Sequence, residues 1–261
     1  MQVLREWLFR QWYAYVNNKD KNAEILFMNY GYHDAQKPAT LEKSDEINRY
    51  SIQLYHRLAE RGEIEDKDIV EIGCGRGGGL DWVCRTYRPK SAIGIDLDAT
   101  AAEFGNRHYT TPGLRFMQGD AQKLQLKDKS ADIVLNVESS HRYPDMVSFL
   151  NEVKRILRPG GTFLYTDFRY PHEMEELGRQ LAQTGLQILE ETNINKEVIA
   201  SLDMDAQRRK ELIKRMAPEF LQKTALNFAG VPGSKTYRQI LDGEYIYYIY
   251  VMQKPINIAF L

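Results

Sequence analysis

Asp68-Ile-Val-Glu71-Ile-Gly73-Cys-Gly75-Arg-Gly77-Gly-Gly79 is a short apolar run that breaks into glycines and resumes as a helical pattern to about Tyr87. A run of that length reads as a buried strand, and the glycines as the turn that joins strand to helix. Glycine lets the backbone turn sharply there and approach a ligand with no Cβ in the way. Spelled G-x-G-x-x-G, the same letters fit a dinucleotide fingerprint, a weak pattern when it stands alone. Three acids bear on the choice. Glu71, two residues before Gly73, is placed to hold an ammonium and would repel a pyrophosphate. Asp96 ends the next strand, where an acid accepts from both hydroxyls of an adenosine ribose under either reading. Gly119-Asp120-Ala121 follows the third strand, where an acid can accept from an adenine amino group.

Outward from this loop, strands and helices alternate. Ser91 to Ile95 reads as a strand, with a helix from about Asp98 to His108. Leu114 to Met117, after the turn signal Pro112-Gly113, is the third strand, and Ala131 to Asn136 the fourth. Met146, Phe149, Leu150, Val153, Ile156 and Leu157 then form the core-facing stripe of a helix. Arg158-Pro-Gly-Gly161 ends that helix, and Thr162 to Thr166 is the fifth strand. The alternation implies an α/β fold with a parallel sheet covered on both faces. Further strands are expected at Leu186 to Thr192 and Glu244 to Val251.

Two segments depart from the rhythm. Residues 1–60 read as a helical lid rich in aromatics, with Leu4, Leu8, Trp12 and Val16 on one face. Residues 195–243 read as a helical cap inserted before the last strand and tail, 244–261, which leaves 61–194 as the core. If lid and cap enclose an acceptor, Trp7, Trp12 and Phe228 are candidates for the lining of an apolar pocket. The Arg208-Arg-Lys210 cluster reads as a solvated helix face.

Composition excludes several classes. The 261 residues are 43% hydrophobic and 27% charged, as in a packed globule. Lys and Arg number 35 against 36 Asp and Glu, net charge -1, so nothing favours nucleic acid as a partner. Cys74 and Cys84 cannot build a disulfide framework, no Cys/His spacing suggests zinc, and no carboxylate cluster marks a metal site, so no metal is expected. No apolar run approaches a membrane span, and the charged start is unlike a secretory signal. A reduced, cytoplasmic protein is the expectation.

The E-x-G-x-G-x-G loop, Asp96, Gly119-Asp120-Ala121 and Leu157-Arg-Pro-Gly-Gly161 together resemble class I S-adenosylmethionine-dependent methyltransferases, over about residues 68–170. The likeness extends to the phthiotriol/phenolphthiotriol dimycocerosate methyltransferases. It is carried by Asn48-Arg-Tyr-Ser-Ile-Gln-Leu-Tyr-His-Arg57, Leu135-Asn-Val-Glu-Ser-Ser-His141, Tyr143-Pro144 and Phe228-Ala-Gly-Val-Pro-Gly233. The resemblance implies a Rossmann-like, mainly parallel seven-stranded sheet and S-adenosyl-L-methionine as cofactor. It implies cofactor contacts from Glu71, Gly73, Gly75, Gly77, Asp96, Leu97, Asp120, Ala121 and Asn136. It also implies O-methylation of a hydroxyl on a polyketide-, lipid- or peptide-derived product, free or carrier-bound. In Phe27-Met-Asn-Tyr30-Gly-Tyr32-His33, the G-Y pair resembles a segment that folds over the cofactor, with Tyr32 on the methionine carboxylate; a core tyrosine is the alternative.

An aliphatic hydroxyl is a poor nucleophile until its proton is being removed, so a base is expected. His141, just past the fourth strand, is the candidate; capping the helix near Pro144 is its other possible role. Asp167, read as following the fifth strand, could orient His141, bind the acceptor hydroxyl, or cap the helix after Pro171, and Glu138 is a rival partner for the imidazole. His33, His56, His108 and His172 show no paired acid at ligand spacing, and Cys74 lacks a neighbouring base. Two other functions fit the glycine loop. A C-methyltransferase of the sterol or tocopherol kind would stabilise a cation with aromatics and acids, whereas Ser139-Ser140-His141 suggests deprotonation. A non-catalytic adenosyl-binding module would not need the base.

Overall fold

The computed structural model describes Asp20 and residues 22–256. Seven strands, β1 (Asp68–Ile72), β2 (Ser91–Asp96), β3 (Leu114–Gln118), β4 (Ala131–Val137), β5 (Leu157–Arg169), β6 (Gln187–Asn193) and β7 (Ile246–Gln253), form one sheet in the order 3-2-1-4-5-7-6. β1 to β5 pair in parallel, and β7 runs antiparallel between β5 and β6. Helices α1 (Arg49–Ala59), α2 (Gly78–Tyr87), α3 (Ala99–His108), α4 (Met146–Ile156) and α5 (Pro171–Gln183) accompany the sheet. Four more follow β6: α6 (Asn195–Met204), α7 (Ala206–Met216), α8 (Glu219–Phe228) and α9 (Lys235–Leu241).

Apolar spacing explains the two cores. Phe149, Leu150, Val153 and Ile156 of α4 are buried with Leu177 and Leu181 of α5 and Phe163 and Tyr165 of β5. Leu54 and Leu58 of α1, with Trp82 and Val83 of α2, belong to the second core, which extends through Val198 and Leu202 of α6. The strand order reverses between β1 and β4, and open α/β sheets place their crevice at the carboxyl ends of strands flanking such a reversal. Glu71, Asn136 and the loops that follow them stand there.

Two local expectations need correction. Residues 22–45 contain no helix; among the described residues the first regular element is a 3₁₀ turn at Glu46–Asn48. Gly31, at φ 87°, and Pro38 interrupt the pattern. The backbone also bonds outward: Tyr32 N–H donates to the Tyr50 carbonyl and His33 N–H to that of Glu197. The fifth strand is longer than the sequence suggested. Leu157 already pairs with Ala131, and Arg158-Pro-Gly-Gly161 bulges before Thr162 resumes against Ile133. Gly160 N–H donates to the Lys254 carbonyl and Lys254 N–H to that of Gly161, which holds the bulge to the chain beyond β7. Asp167 therefore lies inside β5, opposite Tyr248 of β7, not beyond the strand.

Candidate active site

The glycine loop is braced from two sides. Gly73 N–H and Cys74 N–H both donate to the Ile95 carbonyl, at 2.7 and 3.1 Å. Asp96, at the end of β2, accepts the Gly75 N–H through Oδ2 at 2.9 Å and the Asp98 N–H through Oδ1 at 3.0 Å. Gly73 has φ 74°, and a Cβ there would sit 2.3 Å from Ser139 Oγ, so only glycine fits. Ser139 in turn meets the Tyr143 hydroxyl at 2.9 Å, and Asn136 Nδ2 donates to Ser139 Oγ and to the Ile72 carbonyl.

Two oxygens beside this loop lack donors among the described residues. Glu71 is fully buried; its Oε1 accepts the Tyr55 hydroxyl at 2.7 Å and its Oε2 has no partner. Burial raises the Glu71 carboxyl to about 8. Asn136 Oδ1 is likewise buried without a donor. Unmet buried acceptors are costly, and an ammonium supplies what these two lack. On the same edge, Asp120 is exposed and accepts the Gln122 N–H at 2.9 Å, Ala121 is buried, and Leu97 is exposed with its carbonyl accepting from Gln118. Cys74 is buried, and burial pushes its thiol well above the ordinary value, so it is a poor nucleophile.

The second group of residues lies across β4 and β5. His141 sits in a 3₁₀ turn, Ser140–Arg142, with Nδ1 2.7 Å from Asp167 Oδ1. Asp167 Oδ2 also accepts the His141 N–H at 2.8 Å and the Ser140 hydroxyl at 2.6 Å, and Oδ1 accepts the Phe168 N–H. Arg169 Nη1 lies 3.2 Å from Oδ2. Burial alone would raise the Asp167 carboxyl, but the His141 and Arg169 charges and these donors outweigh it and hold it well below the carboxylate range. Burial lowers the His141 imidazole, against the opposing pull of Asp167. A neutral ring that donates its Nδ1–H in a hydrogen bond to the carboxylate has its lone pair on Nε2. The His141 side chain is 14% exposed and stacks obliquely on Phe168, ring centres 4.3 Å apart. Neither residue caps the helices suggested for it: Asp145 caps α4, and Tyr170 occupies that position at α5.

Glu138 does not pair with His141. It stands at φ 48°, uncommon for a non-glycine residue, and its carboxylate accepts the Tyr30 N–H at 2.8 and 3.1 Å. Burial raises it to about 8. Tyr30 thereby lies over this site, its ring 5.7 Å from that of Phe168. Tyr32 is buried in the apolar core, and burial, with the Glu197 charge on α6, raises its hydroxyl. Sequence reading missed Ser140, Tyr143, Arg169 and Tyr30. The first two adjoin His141, and Arg169 shares the Asp167 face of β5 at strand spacing, so these three carried a signal. His56, read as lacking an acid, has Glu60 at 3.5 Å and the Tyr87 hydroxyl at 2.6 Å.

A cavity of about 120 Å³ separates residues 24–30 from α7 and α8, and Phe228 lines it. Trp7 and Trp12 lie outside the described residues. Among the described residues no group of three or more His, Cys, Asp or Glu could hold a metal ion, and no helix is long and apolar enough to cross a membrane.

A methyltransferase-domain family model matches residues 70–165, which run from β1 into β5. The chain is 41% identical over 244 residues to a fatty-acid O-methyltransferase of Mycolicibacterium smegmatis, covering 93% of this chain and 88% of that one. It is 39% identical over 248 residues to the phthiotriol/phenolphthiotriol dimycocerosates methyltransferase of Mycobacterium tuberculosis, covering 95% and 92%. The chain belongs to this family of class I S-adenosylmethionine-dependent methyltransferases. The methyltransferase is therefore an enzyme with S-adenosyl-L-methionine as its cofactor, not a bare binding module. Its fold is shared more widely. The [4+2]-cyclase SpnF matches with TM-score 0.69 at 18% identity, covering 95% of both chains. A geranyl diphosphate methyltransferase solved with its substrate and sinefungin matches with TM-score 0.68 at 19% identity, covering 92% and 93%. Likeness at that identity speaks for the fold alone.

Proposed function

We propose that the methyltransferase O-methylates a hydroxyl of a lipid- or polyketide-derived acceptor, with His141 as general base and Asp167 as its positioning partner. The observation that carries this reading is the 2.7 Å contact between His141 Nδ1 and a buried carboxylate pinned by Ser140, two backbone N–H groups and Arg169. When bound, the cofactor supplies an electrophilic methyl group on a sulfonium. Glu71 and Asn136 would hold its ammonium, Asp96 its ribose and Asp120 its adenine, with Gly73, Gly75 and Gly77 letting the backbone come close. His141 Nε2 would take the acceptor's proton as the acceptor oxygen gains the methyl group, whose bond to the cofactor's sulfur would break to leave a neutral thioether. Asp167 keeps the ring oriented and stabilises the imidazolium that forms. The relatives' names support a lipid acceptor.

A second reading has a carboxylate acceptor, and the fatty-acid O-methyltransferase favours it. A carboxylate is already deprotonated and needs no base. Labelled methyl transfer to a long-chain secondary alcohol and to a fatty acid of equal length separates the two. Methylation of the alcohol should fall about 10²–10⁴-fold in His141→Ala while cofactor affinity holds. Methylation of the acid alone, at an unchanged rate in His141→Ala, would overturn the hydroxyl reading. The pH profile adds a check: burial lowers His141, so alcohol turnover should reach half its maximum below about pH 6.5.

A further inference from the structure

We propose that the cavity between residues 24–30 and helices α7 and α8 is the subsite for the acceptor's hydrocarbon chain, and that Ala225 and Phe228 set how much of the chain it takes. This rests on the lipid-acceptor reading above. Leu26, Met28, Leu212, Met216 and Phe228 stand in its wall, with the buried Ala225 on α8 behind them. The charges in the wall are already committed. Arg209 donates to Asp205 and to the carbonyls of Ala229, Asn29 and Tyr30; Arg208 also binds Asp205, and Glu24 binds Arg215. A charged headgroup would find no counter-ion there, whereas hydrocarbon is buried favourably. Asn29, Asn48 and Ser51 are the neutral polar residues of a mostly apolar wall, and Asn29 Oδ1 is buried with no donor among the described residues.

Continuity with the reacting groups comes through Tyr30. It lines the cavity, its N–H is held by Glu138, and its ring packs on Phe168, which packs on His141. A chain in the cavity would extend away from an oxygen presented to His141, past Tyr30. The volume of about 120 Å³ is below the roughly 300–1,000 Å³ of pockets that hold a whole small molecule, so the cavity takes a stretch of chain.

Rates on a series of 2-alkanols from 2-octanol to 2-icosanol test this. For the wild-type enzyme, kcat/KM should rise by up to about fourfold per added carbon, the worth of a buried methylene, then level off when the cavity is full. Ala225→Leu should level off at a shorter chain, losing more on 2-icosanol than on 2-octanol. Phe228→Ala should level off at a longer one, a gain that a misfolded variant could not show. Equal changes at every chain length in both variants would overturn the proposal. If no alkanol is methylated, the hydroxyl reading fails by itself, and fluorescence titration with 10-(1-pyrenyl)decanol then decides the subsite. Weaker binding in Ala225→Leu than in the wild type supports it, and equal binding by the wild type and both variants overturns it.

Discussion

Asp167, buried within β5, and Glu138, half-buried just past β4, are carboxyls on neighbouring strands, and their surroundings drive them in opposite directions. Burial raises both, because a charge loses its hydration. Asp167 recovers that loss from a hydroxyl, two backbone N–H groups, the imidazole and Arg169, and remains ionised. Glu138 has the Tyr247 hydroxyl and the Tyr30 N–H beside it, with Arg209 a weaker influence and the Asp167 charge against it, and burial prevails, so it sits at about 8. The difference shows that strand-end position does not assign a role. The donors aimed at each carboxyl do, and a pair pushed apart in this way separates an ionised partner from a protonated clasp.

Asp167→Asn tests the ionised half, with the largest effect. Arg169 would be left buried without its carboxylate, at a cost of roughly 3 kcal/mol of stability. Turnover should fall by about 10–10³-fold, less than in His141→Ala, since the base survives without its orientation. If urea denaturation and turnover both match the wild type, Asp167 is a bystander and the comparison collapses.

Glu138→Gln tests the other half, and here the sign reverses. A carboxyl whose folded value of about 8 exceeds its ordinary 4.5 contributes stability fully below pH 4.5 and loses it as pH climbs through 8. The amide resembles the protonated form at every pH. The variant should match the wild type near pH 4.5 and exceed it by a few kcal/mol above pH 8. Denaturation midpoints whose difference does not change between pH 5 and pH 8.5 would show that Glu138 is not protonated in the fold.

Much of the cofactor half was legible because its pattern is local. Apolar run, glycines and helix occupy twenty consecutive residues, Asp96 ends a strand and Asp120 closely follows one. The pairing of Asp167 with His141 was among the roles open to it in the sequence, whereas its place inside β5 was not, because the strand runs on past Thr166 to Arg169. Tyr30 was not. Its partner Glu138 is 108 residues away, and the Gly31 turn at φ 87° separates it from the Tyr32 that the sequence singled out. The extended course of residues 22–45 was hidden for the same reason: its backbone bonds reach α1 and α6, which no short-range periodicity records.

Asp96 carries the comparison to a carboxylate that is only partly buried. It accepts two backbone N–H groups of the loops it braces. Asp96→Ala should weaken S-adenosylmethionine binding by about 1–3 kcal/mol, the smallest of the three effects. Calorimetry on a folded variant with unchanged affinity would remove Asp96 from the cofactor site.

The place of β7 has a consequence for synthesis. The strand that lies between β5 and β6 is made last of the seven, after the four helices that follow β6. A nascent chain can build the glycine loop against β1, β2 and β4 while β5 and β6 still present open edges, the kind of surface that invites pairing with other chains. Asp167 acquires its neighbour Tyr248 only at that last step. The half of the molecule that carries the glycine loop can form during translation, and the half that carries Asp167 is completed only once Gln253 is clear of the ribosome.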